Sequence, residues 1–227
     1  MKKAVALLSG GLDSTTALGI AIEMGYEAHA LTLDYAQRHI IEIERAADIS
    51  RIMGAASHKV MKIDLREFGG SALTDNISVP KEDTGTQVDQ TIPVTYVPAR
   101  NTIFLSLALA FAETLSSGAI FIGVNALDYS GYPDCRPEYI QAFEKMANLA
   151  TKDAVEKNVE VVIHAPLINL RKCDIVIEAS RLGVPLHLTW SCYDPDDNGK
   201  PCALCDSCRL RKQGFDEANL ADPSMDV

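Results

Sequence analysis

Lys3-Ala4-Val5-Ala6-Leu7-Leu8-Ser9-Gly10-Gly11-Leu12-Asp13-Ser14-Thr15-Thr16-Ala17-Leu18 carries the chain from a short apolar run, through a glycine pair, into a segment with helical spacing. Lys3–Leu8 reads as a buried strand, because it is short, apolar and stopped by glycine. Ser14–Met24 reads as a helix with Gly25 as its stop signal. A glycine turn between a first strand and a first helix is where an open α/β sheet receives phosphate. The glycines allow close backbone approach, and unpaired N–H groups at the helix start face the anion. Ser14 and Thr15 can add hydroxyl donors. No Lys follows the glycines, so this is not a Walker loop, and the G-x-G-x-x-G dinucleotide spacing is missing. Taken alone, the turn can equally be a tight bend capped by Asp13 or Ser14.

Working outward, strand and helix patterns alternate. Glu27–Leu33 reads as a second strand, His39–Met53 as a helix stopped by Gly54, and Ser57–Ile63 as a third strand. Arg100–Leu115 reads as a helix, Ala119–Val124 as a strand and Asn125–Arg136 as a loop. Pro137 to about Ala154 reads as a helix, Glu160–His164 as a fifth strand and Arg171–Leu182 as a helix ended by Gly183. This alternation predicts an α/β fold, a doubly wound parallel five-stranded sheet covered on both faces. Residues 74–95 have little periodicity and many Asp, Thr, Gly and Pro, and are expected to form a mobile lid, with a passive insertion as the alternative. Regular alternation ends after Val184. The expected division is a nucleotide-binding unit over 1–183 and a C-terminal segment, 184–227, packed on it.

With 227 residues, 47% hydrophobic and 23% charged, the chain has ordinary globular composition. The longest nearly unbroken apolar run, Ile103–Ala112, is far shorter than a membrane span. Ala4–Leu8 is too short for a signal-peptide core. A cytoplasmic protein without membrane partners is expected. Acids outnumber bases 31 to 21, and the net charge of −10 repels phosphate backbones, which argues against nucleic-acid binding.

Four of the six cysteines crowd together as Cys192-x9-Cys202-x2-Cys205-x2-Cys208. In a reducing compartment such a cluster favours metal over disulfides. Two successive C-x-x-C steps and one earlier Cys can close a tetrahedron. Four thiolates favour Zn²⁺ in a structural site, one ion per chain, with an iron–sulfur cluster as the rival. Cys173 lies on an amphipathic helix and reads as core. Cys135 reads as a ligand-contacting thiol rather than a nucleophile. His39 and His164 read as structural.

The hexapeptide Ser9–Ser14 resembles the pyrophosphate loop of the ATP pyrophosphatase superfamily, which includes GMP, NAD and asparagine synthetases and the tRNA-thiolating enzymes. The resemblance implies an adenine nucleotide alpha-hydrolase-like fold of strand order 3-2-1-4-5. It also implies ATP cleavage between the α and β phosphates and AMP transfer to a substrate oxygen. Three further stretches, Leu33–His39, Tyr96–Thr102 and Gly123–Arg136, resemble the 7-cyano-7-deazaguanine synthases of queuosine biosynthesis. One departure is Ala36, where glycine is expected. The resemblance, from Lys3 to about Gln213, implies ATP-dependent conversion of 7-carboxy-7-deazaguanine and ammonia to the nitrile through adenylated acid and amide intermediates. A PP-loop tRNA-thiolating enzyme is the alternative. No glutaminase segment is read, so free ammonia is expected.

The candidate ATP-binding residues are Leu8, Ser9, Gly10, Gly11, Leu12, Asp13, Ser14, Thr15, Thr16, Ala17, Leu18, Leu31, Asp34 and Arg100, with Asp13, Ser14 and Arg100 catalytic. Mg²⁺ is expected with ATP, and Asp13 either assists it or only caps the helix. Arg38, Asn101, Asn125, Asp128, Tyr129, Tyr132 and Asp134 are candidates for the second substrate. Arg100 and Asn101, at a helix start, can hold phosphate or carboxylate. Asp128 or Asp134 can accept from a guanine-like edge, on which Tyr129 or Tyr132 can stack. A homodimer is expected.

Overall fold

The computed structural model describes residues 1–81, 92–127, 132–157 and 159–224. Five parallel strands, β1 (Lys3–Leu7), β2 (Glu27–Asp34), β3 (Ser57–Lys62), β4 (Ala119–Phe121) and β5 (Val162–His164), form one sheet of order β3-β2-β1-β4-β5. The expected strand order is therefore the one observed. Strand β1 lies at the centre, and its alternation assigns each side chain to a helical layer. Val5 and Leu7 pack with α3 (Arg100–Thr114) and α4 (Pro137–Ala150). Ala4, Ala6 and Leu8 pack with α1 (Leu12–Glu23) and α2 (Ile41–Ile52). The edge strand β3 is largely exposed and carries Lys59 and Lys62, charges that discourage edge-to-edge pairing.

Several boundaries differ from the sequence reading. The expected Pro137–Ala154 helix is two helices, α4 and α5 (Lys152–Lys157), because Thr151 adopts extended backbone at φ −103°, ψ 142°. Strand β4 stops at Phe121 rather than Val124. Two residues on, at Gly123, the chain passes under the start of α1, where an added Cβ would lie 2.7 Å from Asp13 C and Ser14 N. After α6 (Lys172–Arg181) the chain forms a further helix, α7 (Asp206–Glu217), which begins inside the cysteine cluster. No helix among the described residues is long and apolar enough to cross a membrane.

The proposed lid, residues 74–95, is anchored at both ends. Ala72 N–H donates to Val94 O at 2.9 Å, and the Thr95 and Tyr132 hydroxyls are 2.8 Å apart. Thr74 and Val79 are buried. Residues 82–91 lie outside the described residues.

Ala36 sits in the turn after β2 at φ +61°, a left-handed conformation that glycine adopts without cost. The departure from the family pattern thus falls where a Cβ is strained by about 1–2 kcal/mol. Ala36→Gly relieves that strain but adds unfolded-state entropy, so the expected net gain is about 0.5–1 kcal/mol. Thermal unfolding should show a Tm increase of roughly 1–4 °C; an unchanged or lower Tm would contradict this.

Candidate active site

The glycine loop is built from its own hydroxyls. Ser14 Oγ accepts from Ser9 N–H at 3.1 Å and donates to Gly11 O at 3.1 Å, while Thr15 Oγ1 donates to Gly11 O at 2.8 Å. Gly10 takes φ +85°, and a Cβ there would lie 2.5 Å from Glu42 O, in the first turn of α2. From the far end of the chain, Trp190 N–H donates to Gly10 O at 2.9 Å. The loop is therefore clamped between α2 and the C-terminal segment. Its open side lines a cleft over the carboxyl ends of β1, β2 and β4, the place where open α/β sheets bind ligands.

Of the loop candidates, Leu8, Ser9, Gly11, Leu12, Asp13 and Ser14 line the cleft. Gly10 shapes the turn from behind. Thr15, Thr16, Ala17 and Leu18 are buried, Thr16 donating to Leu12 O and Leu18 packing against β1. Leu31 forms part of the floor. Asp34 stands just outside the cleft, where Oδ1 accepts from Ala36 N–H at 3.3 Å.

The cleft also contains groups that sequence reasoning did not single out. Lys172, the first residue of α6, places Nζ 2.9 Å from both carboxylate oxygens of Asp13, and both side chains are largely buried. Gly214 of α7 makes room for it, since a Cβ there would lie 2.4 Å from Lys172 Cγ. The available signal was position: Lys172 follows the loop at the carboxyl end of β5. Arg100, already a candidate from the sequence, lines the cleft beside Tyr35, whose phenol is pushed up to about 12 by burial. Burial also pushes the Glu42 carboxyl up to about 7, against the opposing field of Arg100. Glu42 follows His39 by three residues, within reach of the Leu33–His39 stretch that carried the resemblance.

The second-substrate candidates divide. Tyr132 and Asn125 line the cleft, as do Asn101 and Arg38, yet each has structural partners. Asn101 N–H donates to Asp134 Oδ2 at 3.0 Å, and its Nδ2 donates to Asp134 O and Cys135 Sγ. Asp134 is therefore the acceptor at the start of α3, and it does not line the cleft. Asn125 Nδ2 donates to Leu167 O and Leu170 O, joining the loops that follow β4 and β5. Arg38 reaches Asp194 at 3.4 Å and Ile77 O at 2.6 Å. Asp128 and Tyr129 lie outside the described residues. The Cys135 thiol is pushed up to about 12, chiefly by burial, so it is neutral at physiological pH and unsuited to nucleophilic attack.

Beside the cleft, the sulfur atoms of Cys192, Cys202, Cys205 and Cys208 lie within 4.8 Å of one another. Backbone N–H groups of Asp194 and Cys202 point at Cys192 Sγ at 3.4 and 3.2 Å, and that of Cys205 at Cys202 Sγ at 3.3 Å. Such donors stabilise thiolates. The cluster can hold one metal ion, and its all-thiolate donor set fits zinc.

A family model described as "Queuosine biosynthesis protein QueC" matches residues 3–219. A protein of Desulfatibacillum aliphaticivorans named 7-cyano-7-deazaguanine synthase is 58% identical over 223 residues, covering 98% of this chain and 96% of its own length. A protein of the same name from Geobacter metallireducens is 60% identical over 222 residues, covering 98% and 92%. Among solved structures, NMN synthetase from Francisella tularensis aligns with a TM-score of 0.50 at 17% identity, over 99% of this chain and 75% of that one, a likeness of fold.

The cluster generates a prediction. Elemental analysis of the purified chain should give about one zinc per chain, and Cys205→Ser should lower both zinc content and soluble yield. Because Trp190 ties the cluster segment to Gly10, the remaining folded variant should also bind ATP more weakly in titration calorimetry. Iron instead of zinc, or full zinc occupancy in the variant, would contradict the assignment.

Proposed function

The chain belongs to the queuosine biosynthesis QueC family, and on that premise we propose that it is an ATP-dependent ligase making 7-cyano-7-deazaguanine from 7-carboxy-7-deazaguanine and ammonia. The observation that carries the reading furthest is the clamped Ser9–Ser14 loop, a pyrophosphate seat at the mouth of a cleft containing both cations and aromatic rings. Pyrophosphate is the leaving group of adenylation, so a loop that grips it stabilises the charge that develops there. The alternative of tRNA thiolation has no support in the relatives' names and runs against the net charge of −10.

The proposed reaction has two activations. The substrate carboxylate attacks the α phosphorus of ATP, the bond to the β-phosphate oxygen breaks, and pyrophosphate leaves. Ammonia then displaces AMP to give the amide. A second ATP adenylates the amide oxygen, and departure of AMP with loss of the nitrogen's protons leaves the nitrile. Both activations turn an oxygen into a leaving group, so one loop serves both. Ser9, Gly11 and Ser14 face the pyrophosphate, and Arg100 the α phosphate or the carboxylate. Lys172 stands where its ammonium can pass from Asp13 to a phosphate oxygen. Asp13 would then hold Mg²⁺, which neutralises phosphate charge. Tyr132 lines the same cleft and can stack on the deazaguanine, with Asn125 at its edge. Asn101, Arg38 and Asp134 support that wall, and Asp128 and Tyr129 are candidates to read the purine edge.

On this reading residues 1–183 form the ATP unit, and residues 184–227 form a zinc-held closure on it, with zinc structural rather than catalytic. The small-molecule substrates fit a cytoplasmic enzyme, and we propose a homodimer.

The deciding experiment is mass spectrometry of products from ATP, ammonia and 7-carboxy-7-deazaguanine, where the nitrile is expected. Added 7-amido-7-deazaguanine should yield the nitrile with ATP but without ammonia. Asp13→Ala and Ser14→Ala should slow both half-reactions by about 10²–10³-fold, the scale of a lost oxyanion-type contact. An inert amide would remove it as an intermediate. Loss of only the first adenylation would require a second ATP site.

A further inference from the structure

Two carboxylates line the cleft among the described residues, Asp13 and Glu42. Lys172 occupies both oxygens of Asp13. Glu42 differs. No described residue donates a hydrogen bond to it, and the cation whose field reaches it, Arg100, stands beside the Tyr35 phenol. Its place in the first turn of α2 favours a charged carboxylate through the helix dipole, by about 0.3–1 kcal/mol. Desolvation nevertheless dominates and leaves the carboxyl near 7. The α2 backbone that presents it is held against the pyrophosphate loop, with Glu42 O in the position a Gly10 Cβ would need. Glu42 is thus a partly buried acceptor to which no described residue donates, carried on a backbone held against the loop and on the wall of the site where the acyl-adenylate would form. His39, just ahead of it on the same wall, leaves Nε2 buried without a partner and is held neutral by burial.

The synthase reading demands one group not yet assigned. At neutral pH ammonia is present as ammonium, which has no lone pair and cannot attack. We infer that Glu42 receives the ammonium ion in the cleft and takes its first proton, an inference that rests on the synthase reading. The ion brings N–H donors to a carboxylate that lacks them, and its charge offsets the burial cost. The proton passes to the Glu42 carboxylate, and the freed lone pair forms the C–N bond at the acyl carbon. The C–O bond to AMP breaks, and the surplus proton on nitrogen leaves to solvent. The charged and titratable groups lining this space with Glu42 are Arg100 from α3, Tyr35 and Arg38 from the turn after β2, His39 ahead of α2, the Asp13–Lys172 pair, Arg211 of α7, the phenols of Tyr132 and Tyr193 and the thiols of Cys135 and Cys192, with Arg38 matched to Asp194 at 3.4 Å. Arg211 is neutralised by Asp222 at 2.7 Å and Lys172 by Asp13, which leaves Glu42 the acceptor for a small cation.

The test measures kcat/KM for total ammonium between pH 6 and 9, alongside ATP–pyrophosphate exchange driven by 7-carboxy-7-deazaguanine. An ionised Glu42 that accepts ammonium makes the wild-type value rise to about pH 7 and then level off. Glu42→Gln must use free ammonia, so its value should climb about tenfold per pH unit. At pH 7 it should lie about 10²-fold below wild type, the scale of a lost general base. Pyrophosphate exchange should stay near wild type in the variant, and hydroxylamine, largely unprotonated at neutral pH, should restore product formation. A wild-type value that climbs without levelling overturns the inference, even if the variant fails to fold. So does a Glu42→Gln chain with unchanged kcat/KM, or one that loses pyrophosphate exchange and so acts on ATP rather than on ammonia. Absence of carboxylate-dependent exchange in the wild type would instead overturn the synthase reading itself.

Discussion

The left-handed turn at Gly10 is the constraint on which the rest of the site depends. Its φ of +85° sets the left-handed bend of the loop, and its missing side chain lets the α2 backbone lie where a Cβ would collide. Its carbonyl accepts from Trp190 N–H, more than 170 residues away in the chain. Gly123 repeats the logic on the opposite side, letting the chain beyond β4 pass beneath Asp13 and Ser14. A loop so enclosed has its donors oriented before an anion arrives, so little reorganisation accompanies binding.

An acidic chain must still bind polyanionic ATP, and the structure shows how cations are kept in place. Lys172 is matched to Asp13, Arg211 to Asp222 and Arg38 to Asp194. These three cations each have an internal carboxylate partner, which avoids leaving an uncompensated buried charge. For Lys172, arriving phosphate can replace one anion by another, so the ammonium changes partner without being resolvated. Arg100 departs from this pattern, lying against the phenol of Tyr35, which burial keeps neutral. Its full charge is therefore available to a phosphate or carboxylate.

The strand–helix alternation and the loop were legible in the sequence because both are written locally, as apolar runs of strand length, helical spacing and glycines between them, whereas the strand order came from the resemblance of the loop and its companion stretches to a known family. The four cysteines were legible because a metal site needs only residue type and spacing. What was not legible is pairing across distance. Nothing in the local sequence marks Lys172, whose bond to Asp13 spans 159 positions. Asn101 and Asn125, read as ligand contacts, use their amides to tie loops together. The resemblance and their places, at a helix start and after a strand, marked them as residues near the site without distinguishing a group that touches ligand from one that holds the wall. The split between α4 and α5 was hidden for a similar reason, since Thr151 interrupts a run whose neighbours on both sides favour helix.

The cysteine cluster takes its meaning from the loop. Trp190 stands between the two: its backbone N–H holds Gly10, and its indole Nε1–H donates to Cys192 O at 2.9 Å. Asp194, whose N–H points at Cys192 Sγ, binds Arg38 and Lys81 on the segment that leads toward residues 82–91. A metal ion held by four thiolates would thus fix two things at once, the back of the pyrophosphate loop and the anchor of the long connection beside the cleft. No thiolate need touch substrate for that. The segment is already seated by packing, with Phe215 and Val184 in the core against α6 and the buried Arg211–Asp222 pair, so a metal ion at the cysteines would add rigidity at the end of the segment that touches the loop.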